Sequence, residues 1–269
     1  MSASEPRYVH GHHESVLRSH RWRTAENSAA YLLPHLTPGM RLLDVGCGPG
    51  TITIDLARRI APGEVVGIDA VEAPLAEARE AAAAAGVAGV SFRVADGMAL
   101  PFDDGAFDVV HAHQVLQHVP DPVGMLREMR RVTRPGGIVA ARDSDYAAFT
   151  WYPAAPALDE WLGLYRRVAR ASGGDPDAGR SLLAWAHAAG SSDVTASASA
   201  WCFATDEDRA WWGGLWADRA LRSTYASQSL ALGLADQARH AALMRSRVAW
   251  STEPDGWFAI LHGEILART

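Results

Sequence analysis

Leu42-Leu43-Asp44-Val45-Gly46-Cys47-Gly48-Pro49-Gly50 is the stretch on which the reading of this chain turns. It opens as a buried strand does, apolar apart from one carboxylate. Three glycines then follow at alternate positions. Glycine lets a backbone bend left-handed and lets a ligand come close to it. Residues 51–60 carry a helical pattern that stops at Pro62-Gly63. A strand, a glycine turn and a helix N-terminus in succession make a site for a nucleotide-like ligand, with helix amides pointing at it.

Working outward, strand and helix patterns alternate. Residues 40–45, 65–69, 90–95, 107–112 and 138–142 read as strands, and 51–60, 73–85 and 123–133 as helices between them. Strands joined through helices of this length form a parallel sheet with right-handed crossovers. The expected class is therefore α/β, a doubly wound and mostly parallel sheet of the Rossmann-like kind. Ligands in that fold sit beyond the carboxyl ends of the strands, and Asp44, Asp69, Asp96 and His113 all fall at or just after such ends.

Two details narrow the ligand. The glycine spacing is Gly-x-Gly-x-Gly, and Thr51 stands where a dinucleotide loop usually wants Gly or Ala. Asp69 lies 19 residues after Gly50 and suits ribose hydroxyls in either ligand class. Asp96 at the end of the third strand is an acceptor that a dinucleotide does not need and a free adenine amine does.

Composition sets the limits. The chain has 269 residues, 48% of them apolar, enough for one large domain with an elaborated lid. No apolar run approaches the roughly 18 residues that span a bilayer, and residues 1–16 lack an apolar leader core, so a cytoplasmic protein without a membrane partner is expected. The net charge of −6 argues against a nucleic-acid partner. All 25 basic residues are Arg, which excludes a lysine Schiff base and a Walker-type phosphate loop. Cys47 and Cys202 form no metal-like or redox pair.

Five blocks in order, residues 42–50, 95–102, 107–110, 115–122 (Val-Leu-Gln-His-Val-Pro-Asp-Pro) and 134–137 (Arg-Pro-Gly-Gly), resemble class I S-adenosylmethionine methyltransferases. The likeness is strongest to the ubiquinone/menaquinone biosynthesis (methyltransferase type 11) subgroup and its natural-product relatives of secondary metabolism, and it covers roughly residues 25–145. It implies a seven-stranded sheet with an antiparallel last strand. It implies S-adenosylmethionine as cofactor, leaving as S-adenosylhomocysteine, with Asp44 and Gly46, Cys47 and Gly48 at its methionine portion. Asp69 is then expected at the ribose, Ala70 against the adenine, Asp96 at the adenine amine, Gly97 or Met98 along the ring by backbone, and His113 or Gln114 near the amino-acid end. Asp44 also admits a purely structural reading, as a cap of the turn that follows it.

The acceptor side is less defined. Nine of the ten tryptophans lie at Trp151 or later, which suits a core with a few aromatic side chains lining an apolar or aromatic acceptor pocket. Residues 1–36 are expected as an N-terminal helical cap (helix over 14–36), 37–145 as the cofactor core, and 146–269 as lid helices and last strands. In that last part, 156–189 and 206–250 read as helical, and 193–203 and 257–266 as strands. His118, Asp143 and Tyr146 are candidate catalytic groups, with His118 as a general base or as a buried pin of its loop. Asp145 follows the same strand. Tyr8 and Trp22 are candidates to close the cofactor site. His10-Gly11-His12-His13 lacks partners at ligand spacing, so no metal is expected. The resulting function is methyl transfer to a small molecule by a monomer or homodimer. A non-catalytic S-adenosylmethionine-binding module and an NAD-dependent oxidoreductase are the alternatives.

Overall fold

The computed structural model describes residues 14–269. Five strands are laid down first: β1 (Arg41–Val45), β2 (Glu64–Asp69), β3 (Val90–Val94), β4 (Phe107–His113) and β5 (Thr133–Ser144). They pair in parallel in the order β3-β2-β1-β4-β5. The sheet order reverses between β1 and β4, which opens a crevice beyond their carboxyl ends. Leu42, Leu43, Val109, Val110 and Ala112 are fully buried, as strands covered on both faces require.

The covering helices before β5 are α1 (Glu14–Arg21), α2 (Ala25–Ser28), α3 (Thr51–Ile60), α4 (Glu72–Ala84) and α5 (Pro122–Val132). The single helix expected over 14–36 is broken into α1, α2 and a one-turn helix at Leu33–His35. The cause is local. Thr24 starts a new helix through a capping box, accepting the Asn27 amide while Asn27 accepts the Thr24 amide.

The C-terminal half adds β6 (Thr150–Tyr152), α6 (Pro156–Ala171), α7 (Leu182–Ala188), β7 (Asp193–Phe203), α8 (Asp206–Arg222), α9 (Thr224–Ala231), α10 (Gln237–Ser251) and β8 (Trp257–Arg268). β8 runs antiparallel between β5 and β7, as expected of the last strand. The sheet has eight strands rather than seven, because β6 pairs Thr150–Tyr152 with the start of β8, along the edge that β5 also uses. Three residues are too few to show a period-two pattern, so this strand had no sequence signal. Among the described residues no helix is long and apolar enough to cross a membrane.

Two cores result. One packs α3, α4 and α5 on the sheet. The other joins α6, α8 and α10 to β7 and β8 through Trp161, Tyr165, Trp212, Trp216, Phe203 and Phe258. Arg247 is buried inside the second core, its guanidinium 4.3 Å from the Trp161 ring centroid, and burial pushes its pKa down to about 9.

A buried ion pair stitches the antiparallel edge. Arg142 of β5 faces Glu264 of β8 in register at 3.1 Å, and Ser197 and Ser199 of β7 donate to the Glu264 carboxylate. Removing one partner leaves a buried charge unpaired. Arg142→Met is therefore expected to lower stability by about 3 kcal/mol. Arg142→Met combined with Glu264→Leu should recover most of that loss. Urea unfolding of the two variants checks both.

Candidate active site

The glycine turn after β1 is wound by backbone geometry. Gly46, Gly48 and Gly50 all have left-handed φ, at 71°, 54° and 76°. At Gly46 the reason is double, since an added Cβ would also overlap the Val115 side chain. The turn's amides are used within the protein. Gly46 and Cys47 donate to the Ile68 carbonyl at 2.8 and 2.9 Å, and Gly48 to Asp69 Oδ2 at 3.1 Å. The turn itself therefore offers close backbone approach, which leaves the expectation of ligand-facing amides with the first turn of α3, at Thr51 and Ile52. α3 begins directly after it with no side-chain cap.

Behind the turn, Asp44 is buried with both oxygens engaged. Thr53 of α3 donates to Oδ2 at 2.6 Å, and His111 Nδ1 of β4 lies 2.8 Å from Oδ1. Asp69 ends β2 with Oδ1 accepting the Val71 amide. Asp96 is exposed after β3, with Oδ1 accepting the Met98 amide at 2.8 Å. At Gly97 a Cβ would come 2.5 Å from Met125 Cε of α5, so a larger residue there would require the Met125 side chain to move.

Most of these residues, though not Gly50, Thr53 or His111, border one cavity of about 280 Å³. Asp44, Gly46, Cys47, Gly48, Asp69, Ala70, Asp96, Gly97, Met98, His113 and Gln114 line it, as do His118 and Tyr146. The opposite wall is aromatic, with Phe149, Trp201, Trp212 and Trp216. Tyr8 lies outside the described residues. Carboxylates at the ends of β1, β2 and β3 around a glycine turn fit a nucleoside with a zwitterionic tail. His113 adds two buried ring nitrogens with no partner among the described residues.

Three positions differ from expectation. Asp143 does not border the cavity. β5 begins at Thr133 and runs two residues past the expected end at Arg142, so it includes both Asp143 and Ser144. Alternation along the strand turns Ser144 to the cavity and Asp143 away from it. Asp143 instead accepts the Gln117 amide at 3.2 Å. Asp145 is paired with Arg180 at 2.7 Å and is also off the cavity. Trp22 is not a lining residue; it packs on Trp201, Phe203 and Trp211, anchoring the N-terminal segment.

The electrostatics are shaped by burial. His118 is pushed down to about 3, first by burial and then by the Arg23 and Arg219 charges. Burial likewise holds His113 low, and lifts the Cys47 thiol and the Tyr146 hydroxyl above their usual values. Burial also raises Asp143 to about 8, against the Gln117 and Leu116 amides and Arg142, which lower it.

Sequence reading missed Ser19, His20, Arg23, Ser144, Trp201 and Arg219 as lining residues. One signal was available: Trp212, Trp216 and Arg219 stand at i, i+4 and i+7 and so share a helix face. Arg23 carries no such signal, because tertiary folding of the segment after α1 brings it in.

A family profile described as a methyltransferase domain matches residues 36–197. An uncharacterised methyltransferase of Schizosaccharomyces pombe is 36% identical over 97% of this chain and 96% of its own length. A protein of Aspergillus luteorubrus named probable methyltransferase ltbC is 32% identical over 97% of this chain and 96% of its own. Among solved structures, the [4+2]-cyclase SpnF is similar with a TM-score of 0.52 and 25% identity, over 95% of this chain and 81% of that one. The fold and site define a Rossmann-like nucleoside-binding protein. The chain belongs to the methyltransferase domain family and is an S-adenosylmethionine-dependent methyltransferase.

Asp143 has a measurable consequence. Its folded pKa of about 8 lies above its unfolded value near 4, so folding takes up a proton between those limits. Its contribution is therefore full below about pH 4 and is lost as pH rises through 8. Asp143→Asn removes that titration. The stability of native protein minus that of the variant should fall across pH 4 to 8, read by denaturant midpoints at each pH. A constant difference contradicts the assignment.

Proposed function

We propose that this methyltransferase acts on a small apolar or aromatic molecule. The observation that carries the proposal is the single cavity running from the carboxylates of the sheet edge to the aromatic wall of β7 and α8. In this reading Asp69 accepts the ribose hydroxyls with Ala70 against the adenine. Asp96 accepts the adenine amine, and Gly97 and Met98 border the ring. Asp44, the Gly46–Gly48 backbone, His113 and Gln114 surround the amino-acid end. Asp44 does so while also holding Thr53 and His111, a dual part that a carboxylate's several lone pairs permit.

S-adenosylmethionine supplies an activated methyl on a good leaving group. The chain's own task is to hold the acceptor in line and to keep water out. Phe149, Trp201, Trp212 and Trp216 supply the apolar surface for that, and α1 with the residues after it covers the opening. Ser19, His20 and Arg23 all face inward from that segment. Among the described residues the aromatic wall offers no strong base. His118 is neutral but too weakly basic at about 3 to draw a proton near neutrality, and its Nε2 lies 3.1 Å from Gln117 Nε2, which fits a pin of the loop after β4. Tyr146 is stacked between Phe149 and Tyr165 at centroid distances of 4.3 and 4.2 Å, and it acts in this reading as a wall and hydroxyl donor.

The test is calorimetric. Asp69→Ala is expected to weaken S-adenosylhomocysteine binding about 100-fold, the loss of two charge-assisted bonds. Unchanged affinity contradicts the donor assignment. Tritium transfer from labelled cofactor into small-molecule extracts checks the acceptor class, and label found only in protein or RNA contradicts it.

A further inference from the structure

The outer strands of the sheet, β3, β6 and β7, are finished differently. β3 is five residues long, carries Arg93, and has the Arg79 guanidinium of α4 donating to its Phe92 carbonyl at 3.0 Å. β6 is three residues long. Charge and shortness protect a strand edge against pairing with another chain. β7 has neither. It is eleven residues long and pairs, among the described residues, with β8 alone. From Thr195 to Ala200 it holds no charged residue and no proline, and these positions are exposed or, at Ser199, half-buried. Its outward amides and carbonyls are a template for a further strand.

The sequence of the edge points to which strand fits it. Ala196-Ser197-Ala198-Ser199-Ala200 reads the same in both directions. Residues directly opposite each other in an antiparallel pair share a face of the sheet. A two-fold axis through Ala198, perpendicular to the sheet, therefore sets Ala196 of one copy against Ala200 of the other, Ser197 against Ser199, and Ala198 against itself. The two faces stay sorted. Ser197 and Ser199 lie on the face where they donate to Glu264. Ala196 and Ala198 lie on the other face and line a groove of about 250 Å³ with Leu182, Leu183 and Leu261. Leu183 and Leu261 are 39% and 36% exposed, so apolar surface runs up to the edge. An unrelated strand would gain the backbone bonds without this match of small on small.

We propose that the β7 edge is the interface through which two copies of this chain pair, antiparallel about Ala198, to join their eight-stranded sheets into one. The contact is isologous, each copy offering the same patch. Backbone hydrogen bonds fix the register, and the two grooves meet as one apolar surface that adds burial. β7 runs on from this edge to Trp201 of the cavity wall, so the interface braces the strand that carries that ring.

Sedimentation equilibrium of the full chain tests this. A dimer dissociating at roughly 10 µM is expected, because one strand pair with a modest apolar flank makes a small interface. Ala196→Glu with Ala200→Glu sets carboxylate against carboxylate and should weaken the dimer about tenfold or more. Ala196→Glu with Ala200→Arg sets each carboxylate against a guanidinium and should return it to within about threefold of the native value. Ala198→Lys, a single exposed change that meets its own copy at the axis, repeats the repulsion should the Glu pair fail to fold. A native chain that stays monomeric up to about 200 µM, twenty times the expected constant, overturns the interface. A dimer that neither repulsive variant weakens pairs through another surface and overturns it as well. Failure of the Glu and Arg combination to restore pairing overturns the register about Ala198.

Discussion

One buried carboxylate holds the functional part of this molecule together. Asp44 ends β1 at the point where the sheet order reverses, and its two oxygens tie α3 through Thr53 and β4 through His111. A carboxylate taken out of water is tolerable only when its lone pairs are filled. The three elements that frame the crevice are therefore fixed relative to one another. The glycine turn grows directly from that junction, and its amides fasten it to β2 through Ile68 and Asp69. Val115, two residues beyond β4, packs where a side chain on Gly46 would have to be. The crevice is thus rigid at its carboxylate end.

The aromatic end of the cavity is built differently. It consists of elements far apart in the chain, the segment after α1, the tail of β5, β7 and α8. Ring contacts and a few ionic links join them. Trp201 is held by its indole NH to the Asn27 carbonyl at 2.6 Å and sits beside Trp22. Arg18 to Asp218 and Arg219 to Ser19 join the first helix to α8. A cap fastened by these contacts is easier to open than the sheet, which suits entry and exit of a substrate.

The donor half was legible in the sequence for a physical reason. Parallel strands, their crossover helices and the turn between them are local patterns, and Asp69 and Asp96 follow from their places at strand ends, whereas Gly97 was implied by the family resemblance. The acceptor half was not legible, because its residues meet only through tertiary packing. Asp143 shows how close the two cases lie. The apolar run of β5 ends at Ala141, yet pairing with β8 carries the strand to Ser144. Those extra residues decide which side chains face the cavity. Tryptophan enrichment signalled an aromatic region but not which rings line the pocket. Trp212 and Trp216 do, whereas Trp161 and Trp211 pack in the core or its margin.

The central claim is that one cavity holds the methyl donor at its carboxylate end and faces the acceptor at its aromatic end. A crystal structure of the S-adenosylhomocysteine complex tests this most directly. The expected density has the ribose hydroxyls within hydrogen-bond distance of Asp69, the adenine amine at Asp96, and the sulfur directed toward Trp201 and Trp212. An adenine lying on the tryptophan wall, or a ribose with no contact to Asp69, would contradict it.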